Sequence, residues 1–392
     1  MSDPWLAFVG LGEDGPSALS PASRAALDAA RAVFGGPRHL ALAGVGDRGH
    51  AWPVPFDPTP VLAWRGTPTV VLASGDPFWF GAGGSLAPLL EPGEWSSHPA
   101  PATFQLAANR LGWRLEEVLT LGLHAAPFAR LRPLLGRGSR AICTLRDAAA
   151  VAELAAWLRD NGHPDAELVI LERLGGPHER IRHADPADIP QAIVAPVAVA
   201  ITGRNAGLSR ACGRPDDSFR HDGQITRRPV RALTLSALAP RRGETLWDIG
   251  AGSGAIGIEW LLAGGGDVAA LEADPIRADR ARANAESFGL AHRHRVIRAR
   301  APEGLGGLAP ADAVFVGGGA SDALLAALWD RLAPGARLVL NAVTLETEAL
   351  ILAWSARHGG DLLRIDLSEP AAIGGRRGWK AALPILQWSV TR

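Results

Sequence analysis

Apolar residues in this chain fall into short unbroken runs, separated by longer stretches in which they recur every third or fourth position. WLAFVG (5–10), TVVLASG (69–75), AELVILE (166–172) and PVAVAIT (196–202) are such runs in the first half. Their lack of polar alternation predicts strands buried on both faces, and the Ala-rich stretches between them predict amphipathic helices. The periodicity stops at GRNAGLSRACGRPDDSFRHDG (203–223), where turn formers and arginines cluster. It then restarts. Strands are predicted at TLWDIG, DVAALEAD, HRVIRARA, ADAVFVGGG, ARLVLNAV, DLLRIDL and KAALPILQWSV. Helices are predicted at RRPVRALTLSALA, AIGIEWLLAG, 275–289, from Asp322, and at LETEALILAWSARHGG. The alternation makes both halves α/β, and the second a doubly wound open sheet whose ligands bind at the carboxyl ends of its strands.

A chain of 392 residues is longer than one hydrophobic core supports, which agrees with two domains. We read 1–205 as the first domain, 206–220 as a linker and 221–392 as the second domain. The 40 basic and 40 acidic residues balance, so no broad basic footprint for nucleic acid is expected. No apolar run reaches the roughly 20 residues that cross a bilayer, and the N-terminal run lacks a basic segment and a cleavage site. A cytoplasmic protein bound to neither nucleic acid nor membrane is the expectation. Cys143 and Cys212 have no metal-ligand spacing and read as structural, so no metal is expected. Lys380 is the single lysine and tyrosine is absent, a compositional bias that leaves arginine as the cation.

The chemistry concentrates at LWDIGAGSGAIGIEW (246–260). Gly250, Gly252 and Gly254, with Ser253, join a strand to a helix, where tight turning and close ligand approach both exclude side chains. Glu272 ends the next strand, twenty positions after Gly252, in register to accept ribose hydroxyls. The pattern also suits a dinucleotide, so an NAD-dependent dehydrogenase stays open on these residues alone. Ala299 and Ala301 follow a further strand and suit a flat adenine. The Pro-Gly approach of LAPGARLVLNAV resembles the class I S-adenosylmethionine-dependent methyltransferase fold, which is Rossmann-like. Gly317, Gly318 and Gly319 stand where nucleobase amine methylases carry an Asp/Asn-Pro-Pro-aromatic motif, which disfavours such a substrate.

In the first half, FVGLGEDGPSALS, VVLASGDPFWFGAGGSL, HPAPATFQLAANRLGW and LERLGGPHERI together resemble the tetrapyrrole methylase family. That resemblance covers nearly all of 4–202. It implies a two-lobed class III methyltransferase fold with S-adenosylmethionine held between the lobes by Gly10, Gly12, Gly75, Asp76, Gly81, Thr103 and Phe104. From DSFRHDGQITRRPVRAL onward the chain is similar to the decarboxylating precorrin methyltransferases of the cobalamin pathway, which adds Thr226 to the second cofactor site.

Together the resemblances imply two S-adenosylmethionine sites per chain and methylation of a reduced tetrapyrrole at C5 and C15. They also imply decarboxylation of the C12 acetate, giving precorrin-8. The second domain would methylate C15 and decarboxylate, and the first would methylate C5. An alternative makes the first domain a non-catalytic tetrapyrrole-binding module. Arg227, Arg228 and Arg231 are the candidates for substrate carboxylates, since guanidinium pairs with them bidentately. His221, Asp222, Asn341 and Glu346 lie where they could reach substrate, and none is assigned a catalytic role. The expected partners are the tetrapyrrole and further copies of the chain.

Overall fold

The computed structural model describes residues 4–392. Met1, Ser2 and Asp3, which precede the first apolar run, lie outside the described residues. Two compact units emerge: the first runs to Gly207 without Ala129–Pro133, and the second comprises Ala129–Pro133 and Leu208–Arg392.

The first unit contains two five-stranded sheets. Its elements in chain order are β1 (Leu6–Leu11), α1 (Pro21–Ala29), β2 (Ala32–Gly35), α2 (Pro37–Ala43), β3 (Gly49–Ala51), β4 (Thr69–Ser74), α3 (Gly83–Leu86) and β5 (Trp95–His98). There follow α4 (Thr103–Leu111), β6 (Leu119–Gly122), β7 (Arg140–Thr144), α5 (Ala149–Asp160), β8 (Glu167–Glu172), β9 (Arg180–Ala184) and β10 (Val197–Thr202). The first sheet, ordered β3-β2-β4-β1-β5, is wholly parallel. The second, ordered β6-β7-β10-β8-β9, is mixed. The central strands β4, β8 and β10 are buried on both faces, as their unbroken apolar runs require. Each sheet heads one lobe. The lobes meet where an added Cβ on Gly176 would lie 2.7 Å from the Cβ of Glu13.

The second unit contains α6 (Arg228–Leu238), β11 (Leu246–Ile249), α7 (Ala255–Leu262), β12 (Val268–Glu272), α8 (Pro275–Ser287), β13 (His294–Arg298), β14 (Ala313–Val316) and α9 (Asp322–Arg331). It closes with β15 (Arg337–Ala342), α10 (Leu345–His358), β16 (Asp361–Ile365), β17 (Ser368–Ile373), β18 (Arg376–Ala381) and β19 (Ile385–Thr391). The seven-stranded sheet runs β13-β12-β11-β14-β15-β19-β16. β13 to β15 are parallel, whereas β19 runs antiparallel to both β15 and β16. This is the expected Rossmann-like sheet.

Two expectations need correction. KAALPILQWSV is not one strand: Lys380 and Ala381 belong to β18 of an exposed hairpin with β17, and β19 starts only at Ile385. Pro384 breaks the run because it lacks an N–H for a sheet ladder. The stretch 206–220 is not a free tether either. From Leu208 it belongs to the second unit, with Phe219 buried in the core beside Leu235 and Phe288.

Helix α7 carries no polar face: all eight of its residues are buried. Gly257 in its middle makes room for its neighbours, since an added Cβ would lie 2.6 Å from His294 Nε2 and 2.8 Å from Val268 Cγ1. Gly257→Ala should therefore destabilise the second unit by about 1–3 kcal/mol in a denaturant titration. Gly318→Ala, whose added Cβ meets nothing within 4 Å, should stay within about 0.5 kcal/mol of the parent. Equal losses in the two variants would contradict this packing.

Candidate functional site

Strand β11 ends at the glycine turn, and the turn is held from both sides of the sheet. Gly250 and Ala251 donate their N–H groups to Leu271 O at 2.9 and 3.0 Å, while Gly317 N–H donates to Ile249 O at 2.9 Å. All three turn glycines have positive φ, at +69° for Gly250, +56° for Gly252 and +73° for Gly254. Their surroundings differ. An added Cβ on Gly250 would lie 3.0 Å from Gly318 N and O, so this glycine lets two loops approach. Over Gly252 the sole atom within 4 Å is Gln224 O at 3.8 Å, which leaves open space above the turn. Ser253 is buried, and its carbonyl accepts from Asn284 Nδ2 at 2.9 Å.

Glu272 faces this space. Its Oε2 accepts Gly252 N–H at 2.8 Å and its Oε1 accepts Asp274 N–H at 2.9 Å. Those two bonds lock the carboxylate and leave one lone pair on each oxygen for ribose hydroxyls. Ala299 N–H reaches Glu272 O at 3.2 Å, which places the loop after β13 beside the end of β12. Ala301 packs partly buried against the core at that loop. The open cradle and the oriented carboxylate fit the nucleoside part of S-adenosylmethionine.

Arg231 does not face substrate. Its side chain is wholly buried: Nε donates to Glu259 Oε1 at 2.7 Å, Nη1 to Asp216 Oδ1 at 2.9 Å and Nη2 to Arg214 O at 2.5 Å, with a further bond to Thr226 O. Four of its five N–H donors are spent inside the fold and none of its surface is exposed, so it has no access to a ligand. Arg227 and Arg228, by contrast, are exposed at the start of α6.

The four unranked residues divide similarly. Asp222 accepts Gln224 N–H and pairs with Arg277 at 2.9 Å and Arg280 at 3.0 Å, which holds its carboxyl well below the usual range. His221 Nδ1 accepts Gly223 N–H at 3.0 Å. Asn341 donates to Thr234 Oγ1 at 2.8 Å and accepts from Gln387 at 2.9 Å, so its amide ties α6, β15 and β19 together. Glu346 is exposed in the first turn of α10.

Asp248 was missed in the sequence, although an acid inside the apolar run LWDI was the available signal. It is buried beneath the turn with Oδ2 accepting Gly257 N–H at 3.3 Å. Burial, opposed by that hydrogen bond and aided by the negative charge of Glu272, raises its pKa from 3.8 to about 7.

In the first unit, β1 and β4 also end in glycines that touch. An added Cβ on Gly10 would lie 1.9 Å from Gly75 O and 2.5 Å from Ala100 N. Gly75, at φ +66°, packs on Pro101 and Ala102, which brings the start of α4 and Thr103 to the same edge. Gly12 follows β1, and its added Cβ would meet the Asp14 carboxylate at 2.5 Å. Asp76 accepts Phe78 N–H at 2.8 Å and so shapes the turn, and Gly81 clears Pro77 O. Phe104 is placed differently from expectation. Its ring is buried in the second lobe's core and stacks on Trp79 at 5.2 Å, so only its backbone can line a cleft.

The family matches make the chain a methyltransferase of tetrapyrroles: the tetrapyrrole (corrin/porphyrin) methylase family matches residues 6–190, and the precorrin methyltransferase domain matches 217–392. A Sinorhizobium protein named precorrin-6Y C(5,15)-methyltransferase (decarboxylating) is 44% identical over 400 residues, 99% of this chain and 97% of its own. The chain belongs to the precorrin-6Y C(5,15)-methyltransferase (decarboxylating) family, whose members use S-adenosylmethionine. A shorter relative, the probable cobalt-precorrin-6B C(15)-methyltransferase (decarboxylating) of Saccharolobus solfataricus, is 34% identical over 142 residues, 34% of this chain and 71% of its own. The solved C-terminal domain of precorrin-6Y C5,15-methyltransferase from Rhodobacter capsulatus is 52% identical and covers 47% of this chain and 100% of that one, with TM-score 0.46. The dehydrogenase alternative finds no support among these relatives.

The raised pKa of Asp248 has a signed consequence. Below its unfolded value of 3.8 the group is protonated in both states, and its stability contribution is lost as pH rises toward about 7. Asp248→Asn should therefore gain stability over the parent between pH 4 and pH 8, by about 2–4 kcal/mol as an upper bound. Calorimetric melting at the two pH values checks this, and a pH-independent difference would contradict a neutral Asp248.

Proposed function

We propose that this chain methylates a reduced precorrin at C5 and C15 and removes the C12 acetate carboxyl as carbon dioxide, giving precorrin-8. One S-adenosylmethionine site serves each unit. The observation that carries this reading is that each unit ends its own parallel strands in touching glycine turns, in a chain matched end to end by a C(5,15)-methyltransferase. The second unit methylates C15 and decarboxylates, and the first methylates C5. The shorter archaeal relative supports the pairing, since its name joins C15 methylation to decarboxylation.

S-adenosylmethionine supplies an already activated methyl, so the chain needs no nucleophile of its own. Its residues hold the electron-rich ring carbon in line and exclude water, and the rate gain comes from orientation. Arg227 and Arg228 bind peripheral carboxylates from the exposed start of α6. The macrocycle serves as the electron sink for the departing carboxylate. Exposed Ile373, Trp379 and Leu383 on and beside the β17–β18 hairpin support association of several copies.

Titration calorimetry with S-adenosylhomocysteine should approach two equivalents per chain. Gly252→Val should remove one of them, and a stoichiometry unchanged at two would refute the assignment of the second site. Mass spectrometry of the product made by residues 208–392 alone should show one methyl gained and one carbon dioxide lost. Methylation without decarboxylation, with the loss restored only by adding the first unit, would refute the division of labour.

A further inference from the structure

The first unit contains a side-chain cluster that the cofactor turns do not explain. Glu13 follows the β1 turn, Ser74 ends β4 immediately before Gly75, and Arg38 and His39 open α2 after β2. All four lie at the carboxyl edge of the parallel sheet, where β1 and β4 run in register from Gly10↔Ala73 to Leu11↔Ser74. Arg38 pairs with Glu13. Its Nη2 reaches Ser74 Oγ at 3.1 Å and His39 Nε2 at 3.0 Å, and His39 Nε2 lies 2.7 Å from Ser74 Oγ.

A guanidinium can only donate, so Arg38 and His39 are hydrogen-bonded in the tautomer with the lone pair on Nε2 and the proton on Nδ1, and we assign that tautomer. The Ser74 hydroxyl then donates to Nε2 and accepts from Arg38. This is a serine polarised by a histidine, anchored through Arg38 to Glu13 at the junction of the two lobes. Ser74 is exposed, so its oxygen is open to a ligand at the sheet edge.

We propose that His39, acting through Ser74, is the base that removes the hydrogen of the ring carbon methylated by the first unit. The proposal rests on the reading that this unit methylates C5. A bridging carbon that bears one hydrogen and gains a methyl must lose that hydrogen as a proton to stay in conjugation. The electron pair of the ring carbon forms the bond to the methyl, and the carbon–sulfur pair stays on sulfur as a neutral thioether. The ring is left cationic. Its C–H pair then returns to the ring, the proton passes to Ser74 Oγ, and the serine's own proton passes to His39 Nε2. No oxidant or further reactant is required.

Burial, and after it the positive charge of Arg38, hold the His39 imidazole well below its usual range, at about 4. The ring is therefore neutral and in its accepting form at neutral pH. So weak a base suffices, because the proton leaves a cation that becomes a neutral conjugated ring.

The test uses the full chain, S-adenosylmethionine and a precursor bearing hydrogen or deuterium at C5. In His39→Gln and Ser74→Ala, product mass should show C15 methylation and decarboxylation persisting while C5 methylation slows by about 10²-fold or more. Calorimetry with S-adenosylhomocysteine should still approach two equivalents, which separates lost proton transfer from lost folding. A primary deuterium isotope effect should appear in the variants, where proton removal becomes limiting. C5 methylation within about threefold of the parent in His39→Gln, with no new isotope effect, would overturn the proposal.

Gly12→Val serves as the cofactor-site control, because its one close contact is the flexible Asp14 carboxylate. Loss of C5 methylation in Gly12→Val but not in His39→Gln overturns the base assignment alone. Persistence of C5 methylation in Gly12→Val overturns the first unit's role, and the base with it.

Discussion

The second unit depends on one buried ion pair. Glu259 lies in a helix with no exposed residue, and an unpaired carboxylate there would cost several kcal/mol. Arg231 on α6 neutralises it at 2.7 Å, while Gly213 and Arg214 donate their N–H groups to the same carboxylate at 2.6 and 2.9 Å. Removing either partner of such a pair typically costs about 3–5 kcal/mol, because a charge is left stranded. The pair therefore clamps together α6, α7 and the entry segment from Gly213 to Asp216. Since α7 begins directly after Gly254, the same clamp holds the glycine turn over its open space.

The clamp also separates two kinds of arginine on one helix. Arg227 and Arg228 precede the first full turn of α6 and reach solvent, whereas Arg231 points inward a turn later. Arg231 follows them by four and three positions, a spacing that shares a helix face, so position along the axis separates them: Arg227 is the N-cap and Arg228 the first residue at the open end of α6, while Arg231 lies a turn further in, against Glu259 of α7. Phe219 adds to the inward duty by presenting its ring 5.0 Å from the Arg231 guanidinium.

The two units solve one problem with different sheets. Where parallel strands end side by side, their loops must pass closely, and only glycine permits backbones to meet at the distances seen between Gly10 and Gly75 or Gly250 and Gly318. The proposed function places a ligand at that edge in both. What surrounds it differs: an oriented Glu272 and a buried Asp248 in the second unit, and in the first the chain Glu13–Arg38–His39–Ser74.

Much of this was legible in the sequence. Unbroken apolar runs determined the central strands β4, β8, β10 and β11, because burial on both faces leaves no place for polar alternation. The spacing from Gly252 to Glu272 determined that the glycine turn and the carboxylate meet, since one strand, one turn and one helix set the distance. Only the tertiary structure decided which charges are spent internally. Arg231 read as a ligand group, and Asn341 and Asp222 as residues within reach of substrate, because a sequence does not record whether a partner waits in the fold; Glu259, Gln387 and Arg277 are those partners. The cluster of Glu13, Arg38, His39 and Ser74 was equally hidden. Its members are separated by up to 61 positions (74 − 13) and meet only because β2 and β1 both flank β4, so that their loops share one edge.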